Sequence, residues 1–175
     1  MVKIIQVGNP ILRGSAKDVS LDEISSVKIK KILAEMSKAL NKEKDGVALA
    51  APQIGASLRI FIVSNKVFNF EKDDNEHTLS PSASPSASSD LIFINPTIIK
   101  ISKTREESDE GCLSTRGKYG IVKRAKKITI HAYDENGKIF ERGASGLLAK
   151  IFQHEIDHLD GILFIDKSKK LYDTE

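Results

Sequence analysis

The chain has little cysteine, no long apolar run and little net charge, and each of these absences narrows its class. Cys112 is the only cysteine among 175 residues, so no internal disulfide can form and nothing indicates an oxidising compartment. No apolar run approaches the roughly 20 residues that a membrane-spanning helix needs. The amino-terminal residues lack the apolar core and cleavage site of a secretory signal, so we expect a cytoplasmic protein with no membrane-bound state.

The charge balance argues against dedicated nucleic-acid binding. Lysine and arginine number 27 and acidic residues 24, and the two signs are mixed along most of the chain. Because nucleic-acid binding usually needs a concentrated basic patch, we expect no direct nucleic-acid function. The one basic cluster, Lys167, Lys169 and Lys170, is interpreted as a solvated tail that gives only a weak indication of a partner. An apolar content of 40% is typical of a globular protein with one hydrophobic core.

Hydrophobic periodicity predicts two helices, over residues 21–42 and 145–160. Ser20 and Glu23 have the spacing of a capping box at the start of the first, amphipathic helix, where each side chain accepts a hydrogen bond from a free backbone N–H. Ser145 is the predicted N-cap of the second helix. Gly161 lies where a left-handed residue commonly ends a helix.

Short runs rich in β-branched residues predict strands over residues 58–64, 91–95, 97–102, 127–133, 138–141 and 162–165. Asp134-Glu-Asn-Gly137 predicts a hairpin turn, because Asn-Gly readily adopts the positive φ values that such turns need. Residues 73–90 carry Ser-Pro-Ser-Ala twice and have almost nothing to bury, which predicts a mobile surface loop. Together these elements predict one α+β domain over residues 1–175, with antiparallel sheets packed around a helix near the carboxyl terminus.

His154-Glu-Ile-Asp-His158 lies on the second predicted helix and has the spacing of a metal-binding pair. Residues four apart differ by about 40° around a helix axis, so both imidazoles project from one face and can chelate one ion. Glu155 adjoins the first histidine and is placed to reach a water on that ion. The alternative is a helix that carries two histidines by chance, an infrequent pattern in a chain with four histidines.

The common zinc-protease arrangements do not supply a third ligand. A thermolysin-like site needs a glutamate well downstream, and the only glutamate after His158 is the last residue, Glu175. A metzincin-like site needs a third histidine where this chain has Phe164. The methionine turn of that class is missing too, since no methionine follows Met36.

Cys112 is the remaining candidate for the third ligand. His77 lies in the predicted loop, and His131 lies within a strand, where we expect it to be half-buried. A lone cysteine is commonly an inert small hydrophobic residue. Here, however, glycine precedes Cys112 and allows a close backbone approach, and a thiolate is a strong ligand for borderline divalent ions. A Cys-His-His set leaves the fourth position for water, which distinguishes catalytic from closed structural sites.

Three segments together resemble the peptide deformylases. They are Gly46-Val-Ala-Leu-Ala-Ala-Pro-Gln53, Glu110-Gly-Cys-Leu-Ser114 and Gln153-His-Glu-Ile-Asp-His-Leu-Asp-Gly161, in the family's order and spacing. The opening Gly8-Asn-Pro-Ile-Leu-Arg13 is also similar, so the resemblance covers nearly the whole chain. It implies hydrolysis of the formyl group from the N-terminal formyl-methionine of nascent peptides, with release of formate.

The resemblance implies a role for each motif residue. The implied metal ligands are Cys112, His154 and His158. The implied ion is Fe²⁺ in the cell, with Zn²⁺, Ni²⁺ or Co²⁺ as substitutes. Glu155 is implied as the base, and the Gln53 side chain and the Leu113 backbone N–H as the groups that receive negative charge on the formyl oxygen. The residues implied to bind substrate are Gly46, Val47, Ala48, Glu110 and Gly111.

Further expectations concern the surroundings of this site. By resemblance, Glu110 helps to orient the metal-site loop, and an apolar pocket that includes residues of the helix bearing His154 selects methionine. Asp157 and Asp160 are interpreted as helix-face acids. A transient contact of the basic cluster with the ribosome is a further expectation.

The chain departs from the family pattern at two places. Ala48 replaces a usual glycine in the segment that lies along the substrate backbone, so its methyl group is expected to narrow the cleft or alter affinity while activity survives. The serine- and proline-rich loop is longer than usual. The alternatives that stay open are a metalloprotease with a cysteine ligand, a non-enzymatic module with a structural ion, and a specialised or weakened paralogue marked by Ala48.

Overall fold

A computed structural model describes residues 2–70 and 90–173, and this part of the chain forms eight strands in two sheets with four helices. The strands are β1 Ala48–Ala50, β2 Ile60–Val63, β3 Leu91–Ile101, β4 Arg105–Gly111, β5 Lys118–Ala125, β6 Lys127–Tyr133, β7 Ile139–Ser145 and β8 Lys170–Asp173. The helices are α1 Val27–Leu40, α2 Val67–Phe70, α3 Gly146–Leu159 and α4 Phe164–Lys167. Short 3₁₀ turns cover Pro10–Arg13, Leu21–Glu23 and Ala51–Ile54.

Both sheets are antiparallel, as predicted. The larger has the strand order β1-β2-β3-β6-β7, and the smaller has the order β4-β5-β8. β1 and β4 are therefore edge strands. The α+β class predicted from the sequence is confirmed.

The larger sheet has a hydrophobic cluster on each face. Successive side chains of a strand point to opposite faces, and in β2 Phe61 and Val63 join the cluster that contains Phe152 of α3. Ile60 and Ile62 join the cluster that contains the buried face of α1. The ring centroids of Phe61 and Phe152 lie 5.9 Å apart. Because burial of a large apolar side chain contributes about 1.5–3 kcal/mol, these contacts hold α3 firmly on the sheet.

The first helix begins later than predicted. α1 starts at Val27, and Oγ of Ser26 accepts a hydrogen bond from the backbone N–H of Ile29 at 3.3 Å. Ser20 makes no side-chain capping bond, and the segment after it is a single 3₁₀ turn, so the predicted capping box with Glu23 is wrong. The side chain of Val27 is 84% exposed, and the buried face of the helix starts only at Ile29.

The second helix agrees closely with its predicted bounds. Ser145 occupies the N-cap position of α3, although its side chain makes no capping hydrogen bond. Gly161 follows the helix with φ +75°, the left-handed conformation predicted for it. A Cβ atom there would also lie 2.6 Å from the carbonyl oxygen of Arg13, so close packing requires glycine as well.

The predicted strands are confirmed in part. The runs 91–95 and 97–102 form one irregular strand, β3, while β6 has the predicted bounds and Gly137 of the hairpin turn has φ +78°. His131 is half-buried in β6, as expected. The strand predicted at 162–165 is wrong, because α4 begins there. β1, β4, β5 and β8 were not predicted. β1 has only three residues, β4 and β8 are mostly charged or exposed, and β5 mixes apolar with charged residues.

Two further predictions concern the surface. The loop predicted at 73–90 lies outside the described residues apart from Asp90. The basic cluster near the carboxyl terminus is exposed to solvent, as predicted, but it is not a free tail: Lys167 pairs with Asp157 at 2.6 Å, Lys169 pairs with Glu107, and Lys170 begins β8. Across residues 2–70 and 90–173, no helix has the length and apolar character to cross a membrane.

Candidate metal centre and active site

Three predicted metal ligands converge where α3 meets the end of β4. His154 and His158 lie one helical turn apart, with ring centroids 4.9 Å apart. Cys112 directly follows β4, and its Sγ lies 3.1 Å from Nε2 of His158. One ligand atom from each residue lies within 4.8 Å of the other two. The fold thus brings together residues that are 46 positions apart in the chain.

The donor atoms suit a divalent metal ion. One thiolate and two imidazoles form a donor set that Zn²⁺, Fe²⁺, Co²⁺ and Ni²⁺ accept, and three protein ligands leave a position open. Oε2 of Glu155 is buried beside them without a hydrogen-bond partner in the part of the chain that the structure describes. A buried carboxylate oxygen without a donor is costly, so Oε2 calls for a hydrogen-bond donor that the described residues do not supply, such as a water molecule. The residues therefore fit a catalytic metal site.

Glu110 orients the first histidine. Its Oε2 lies 3.0 Å from Nδ1 of His154, which leaves the other ring nitrogen, Nε2, for a metal. Arg124 of β5 donates two hydrogen bonds to Glu110, at 2.7 and 2.9 Å, and a third to Asp157 at 2.5 Å. Lys167 pairs with the second oxygen of Asp157. This buried network fixes β4, β5 and α3 relative to one another.

The surroundings shift the pKa values of the ligands and of Glu110. Burial opposes ionisation of Glu110, but hydrogen bonds from Arg124 and His154 outweigh it and lower its pKa to about 2. Burial and the charge of His154 lower the pKa of His158 well below its usual value, which favours the neutral form that a metal ligand needs. Burial also opposes a charge on His154, yet hydrogen bonds to Cys112 and Glu110 raise its pKa. The negatively charged groups around His154 that favour a proton on its ring also favour a metal cation bound to it.

Glu155 has the environment of a general base. Its side chain is buried, and burial raises the pKa of its carboxyl group to about 7, partly opposed by the charge of His154. A carboxyl group with a pKa near neutrality can both accept and return a proton at physiological pH.

Gln53 is held in one orientation. Its Oε1 accepts a hydrogen bond from the backbone N–H of Ala50 at 2.8 Å, which a side-chain NH₂ group cannot do. Its Nε2 therefore faces the centre, where it donates to Oγ of Ser114 at 3.1 Å and lies 3.6 Å from Sγ of Cys112. The side chain thus presents N–H donors beside the metal ligands.

A cavity of about 370 Å³ opens onto this centre. The predicted site residues that line it are Gly46, Val47, Ala48, Gln53, Glu110, Gly111, Cys112, Leu113, His154 and Glu155. His158 lies behind them and is 1% exposed. Leu147 and Ile151 of α3 contribute to the wall, so its apolar side comes partly from the helix that bears His154, as expected.

Two glycines of the motifs lie in close contact with neighbouring side chains. A Cβ atom at Gly46 would lie 2.9 Å from Cβ of Glu43 and 3.0 Å from a methyl group of Leu40. A Cβ atom at Gly111 would lie 2.7 Å from the ring of Tyr119. Ala48 is buried in β1 at the cavity wall, and the effect of its methyl group on affinity stays a prediction.

Arg124 was not among the predicted site residues, and the prediction for Asp157 is wrong. Asp157 is a buried partner of Arg124 rather than a helix-face acid, whereas Asp160 is half-exposed and pairs with Arg59 at 2.7 Å. Nothing in the sequence indicates that Arg124, which lies 33 residues before Asp157, pairs with it.

Comparison with known proteins finds relatives that match nearly the whole chain. A sequence model described as polypeptide deformylase matches residues 1–173. The peptide deformylase of Leptospira biflexa is 39% identical over 172 residues, which cover 97% of this chain and 90% of that protein. That of Dictyoglomus thermophilum is 40% identical over 168 residues, covering 95% and 92%.

Solved structures show the same fold. The crystal structure of peptide deformylase from Thermotoga maritima superposes with a TM-score of 0.77 at 33% identity, covering 97% of this chain and 99% of that one. A Synechococcus elongatus peptide deformylase in complex with actinonin gives 0.78 at 31% identity, covering 97% and 81%. The chain belongs to the polypeptide deformylase family.

Proposed function

We propose that Cys112, His154 and His158 hold one divalent metal ion with which the chain hydrolyses the formyl group of N-terminal formyl-methionine. The convergence of these three side chains around one point, with Glu155 beside them, carries the proposal. Family membership supports a metal-dependent hydrolase that acts on formylated nascent peptides. The products are formate and a peptide with a free amino terminus.

Each remaining residue has a task in the hydrolysis. A divalent ion held by Cys112, His154 and His158 would supply Lewis acidity for the attack of water on the formyl group. Glu155 takes a proton from the attacking water as the C–O bond to the formyl carbon forms. Nε2 of Gln53 and the backbone N–H of Leu113 donate to the formyl oxygen as negative charge develops on it. Glu155 then returns the proton to the departing amine as the C–N bond breaks.

The substrate peptide lies between two sheet edges. Gly46, Val47 and Ala48 border the cavity at the edge strand β1, and Glu110 and Gly111 border it at the edge strand β4. An extended peptide can add to such edges through main-chain hydrogen bonds. Its methionine side chain packs in the apolar part of the cavity, against side chains that include Leu147 and Ile151.

The metal in the cell is proposed to be Fe²⁺, with Zn²⁺, Ni²⁺ or Co²⁺ as substitutes. The donor set accepts all four ions, and a ferrous ion beside the Cys112 thiolate is sensitive to oxidation. We expect activity to decay in air with Fe²⁺ and to persist with Ni²⁺. Equal lifetimes of the two forms, measured alongside elemental analysis of anaerobically purified protein, would remove the case for iron.

The remaining proposals concern context. We propose that residues 1–175 form one catalytic domain and that it acts in the cytoplasm, where nascent peptides emerge.

We also propose at most a transient contact with the ribosome through the basic cluster. Lys167 and Lys169 are ion-paired within the chain, whereas Lys170 forms no ion pair with the described residues and is therefore available for such a contact. Co-sedimentation with ribosomes at low and physiological salt tests this contact.

The function is tested by formate release. Metal-loaded protein is incubated with formyl-Met-Ala-Ser and, separately, with an amino-acetylated peptide that offers only internal peptide bonds. We expect formate from the first and no cleavage of the second. Cleavage of the second peptide without formate release from the first would favour a metalloprotease instead.

A further inference from the structure

Two exposed tyrosines lie beside the mouth of the cavity, and the proposed hydrolysis does not use them. Tyr119 of β5 lines the cavity. Tyr172 of β8 stacks on it, with ring centroids 6.2 Å apart and an interplanar angle of 19°. The two residues are 39% and 37% exposed. Stacked aromatic rings with accessible faces can bind further apolar or aromatic groups.

The strand register places these rings in one row with the cavity wall. Gly111 of β4 pairs with Tyr119, and Tyr119 pairs with Tyr172 on its other side. Directly opposite residues in antiparallel strands project to the same face of the sheet. Because Gly111 has no side chain, the Tyr119 ring occupies the space above it. The row therefore runs without interruption from the cavity wall to β8.

Asp109 fixes the outer ring. The hydroxyl group of Tyr172 donates a hydrogen bond to Oδ1 of Asp109 at 2.5 Å. Asp109 lies two residues before Gly111 on β4, hence on the same face, and it also lines the cavity. The Tyr172 ring is thus held across β5, so that the strand near the carboxyl terminus contributes to the cavity mouth.

We propose that Tyr119 and Tyr172 form an aromatic platform that binds a substrate side chain beyond the methionine and favours an aromatic residue there. The inference rests on the proposed function, because continuity with the cavity identifies the occupant as the formylated peptide. Gly111 directly precedes the ligand Cys112, and an extended peptide advances by about 3.3 Å per residue. The second to fourth residues of the substrate are therefore the ones within reach of the platform.

The test is a phenylalanine scan of the substrate. Formate release is measured for formyl-Met-Ala-Ala-Ala and for the three peptides in which phenylalanine replaces one alanine. We expect phenylalanine at one position to raise kcat/KM by about threefold to tenfold, mainly through a lower KM, as for an interaction made equally in ground state and transition state. Tyr119→Ala and Tyr172→Ala should bring this ratio towards one, whereas Tyr119→Phe and Tyr172→Phe, which keep the rings, should retain it.

Leu171→Ala is the matched control. Leu171 is 47% exposed and adjoins Tyr172, but it projects from the opposite face of β8. This variant weakens the same strand and should keep the ratio. Because the ratio compares two substrates on one enzyme, partial unfolding lowers both rates and leaves it unchanged.

The outcomes separate the inference from the proposed function. If no peptide shows a preference, if the ratio survives Tyr119→Ala, or if Leu171→Ala lowers it as much as Tyr172→Ala, the platform is overturned. If formyl-Met-Ala-Ala-Ala itself releases no formate from metal-loaded protein, the proposed function fails.

Discussion

The reactivity proposed for Glu155 follows from where its carboxyl group lies. An exposed glutamate is ionised and solvated at neutral pH, but this one is 4% exposed and Oε2 has no hydrogen-bond partner within the described residues. Burial raises its pKa to about 7. Burial opposes ionisation of the Glu155 carboxyl group, and it thereby brings the pKa of this group into the range in which the group can transfer protons near neutral pH.

Glu155→Gln should abolish turnover and keep the metal. Glutamine has nearly the same shape but cannot accept a proton, so we expect formate release to fall by about 10²–10⁴-fold. Elemental analysis should still find one metal ion per chain. Glu135→Gln, an exposed position in the hairpin turn, is the control. Unchanged turnover in the Glu155 variant would exclude the role as base, and loss of the metal would make the substitution structural instead.

Gln53→Ala should lower kcat more than it raises KM. Its N–H donors face the centre because the Ala50 backbone holds the amide in one orientation, and loss of one such donor typically costs about 10²–10³ in kcat. Steady-state kinetics with formyl-Met-Ala-Ser measure the split. A change confined to KM would show that Gln53 binds the substrate without stabilising the developing charge.

Among the elements, α1 shows that a helix start depends on one hydrogen bond as much as on periodicity. Ser20 and Ser26 are equally plausible caps by residue type, and apolar residues follow both. The structure distinguishes them, because only Ser26 accepts a bond from the first turn of a helix.

Ser26→Ala should therefore destabilise the fold, and Ser20→Ala should not. Loss of a serine N-cap typically costs about 1 kcal/mol, which in a chain of this length corresponds to a decrease of about 2–4 °C in Tm. Thermal unfolding of both variants measures the difference. A larger decrease for Ser20→Ala would contradict the assignment of the cap.

The elements that the sequence predicted well carry buried apolar residues at the spacing of their structure. β6 alternates buried residues with more exposed ones, and α3 buries apolar residues at helical spacing, such as Leu148, Phe152 and Leu159; both were predicted within a residue or two. β4 and β5 instead turn inward the charged residues Glu110 and Arg124, which satisfy each other. No hydrophobic pattern marks such strands, and the partners become visible only after the fold has paired them.

Arg124→Met tests the buried network that joins these elements. Removal of the guanidinium group leaves Glu110 and Asp157 buried without their shared partner, which should cost about 3–5 kcal/mol in the free energy of unfolding. Arg116→Met breaks an exposed pair with Glu43 and should cost less than about 1 kcal/mol. Urea denaturation of both variants gives the comparison. Equal losses would show that the network contributes no more than a surface pair.

At the scale of the whole molecule, the proposed metal site lies between elements of the two sheets. α3 packs on the larger sheet, whereas Cys112 follows an edge strand of the smaller one. The three proposed ligands could be identified from the sequence because two of them share a helix and the third is the only cysteine. How the two sheets approach each other was not predicted, because it depends on contacts between distant segments such as Arg124 and Asp157.

Removal of the metal should consequently loosen the whole fold as well as end activity. A ligand that binds the folded chain at 100 times its Kd stabilises it by about 2.7 kcal/mol, so treatment with a chelator should lower Tm by about 5–10 °C. Return of Ni²⁺ should restore both Tm and formate release. Cys112→Ala lacks the ligand from the smaller sheet, and its Tm should hardly respond to the chelator. An equal response of both proteins would mean that the stabilising ion binds elsewhere.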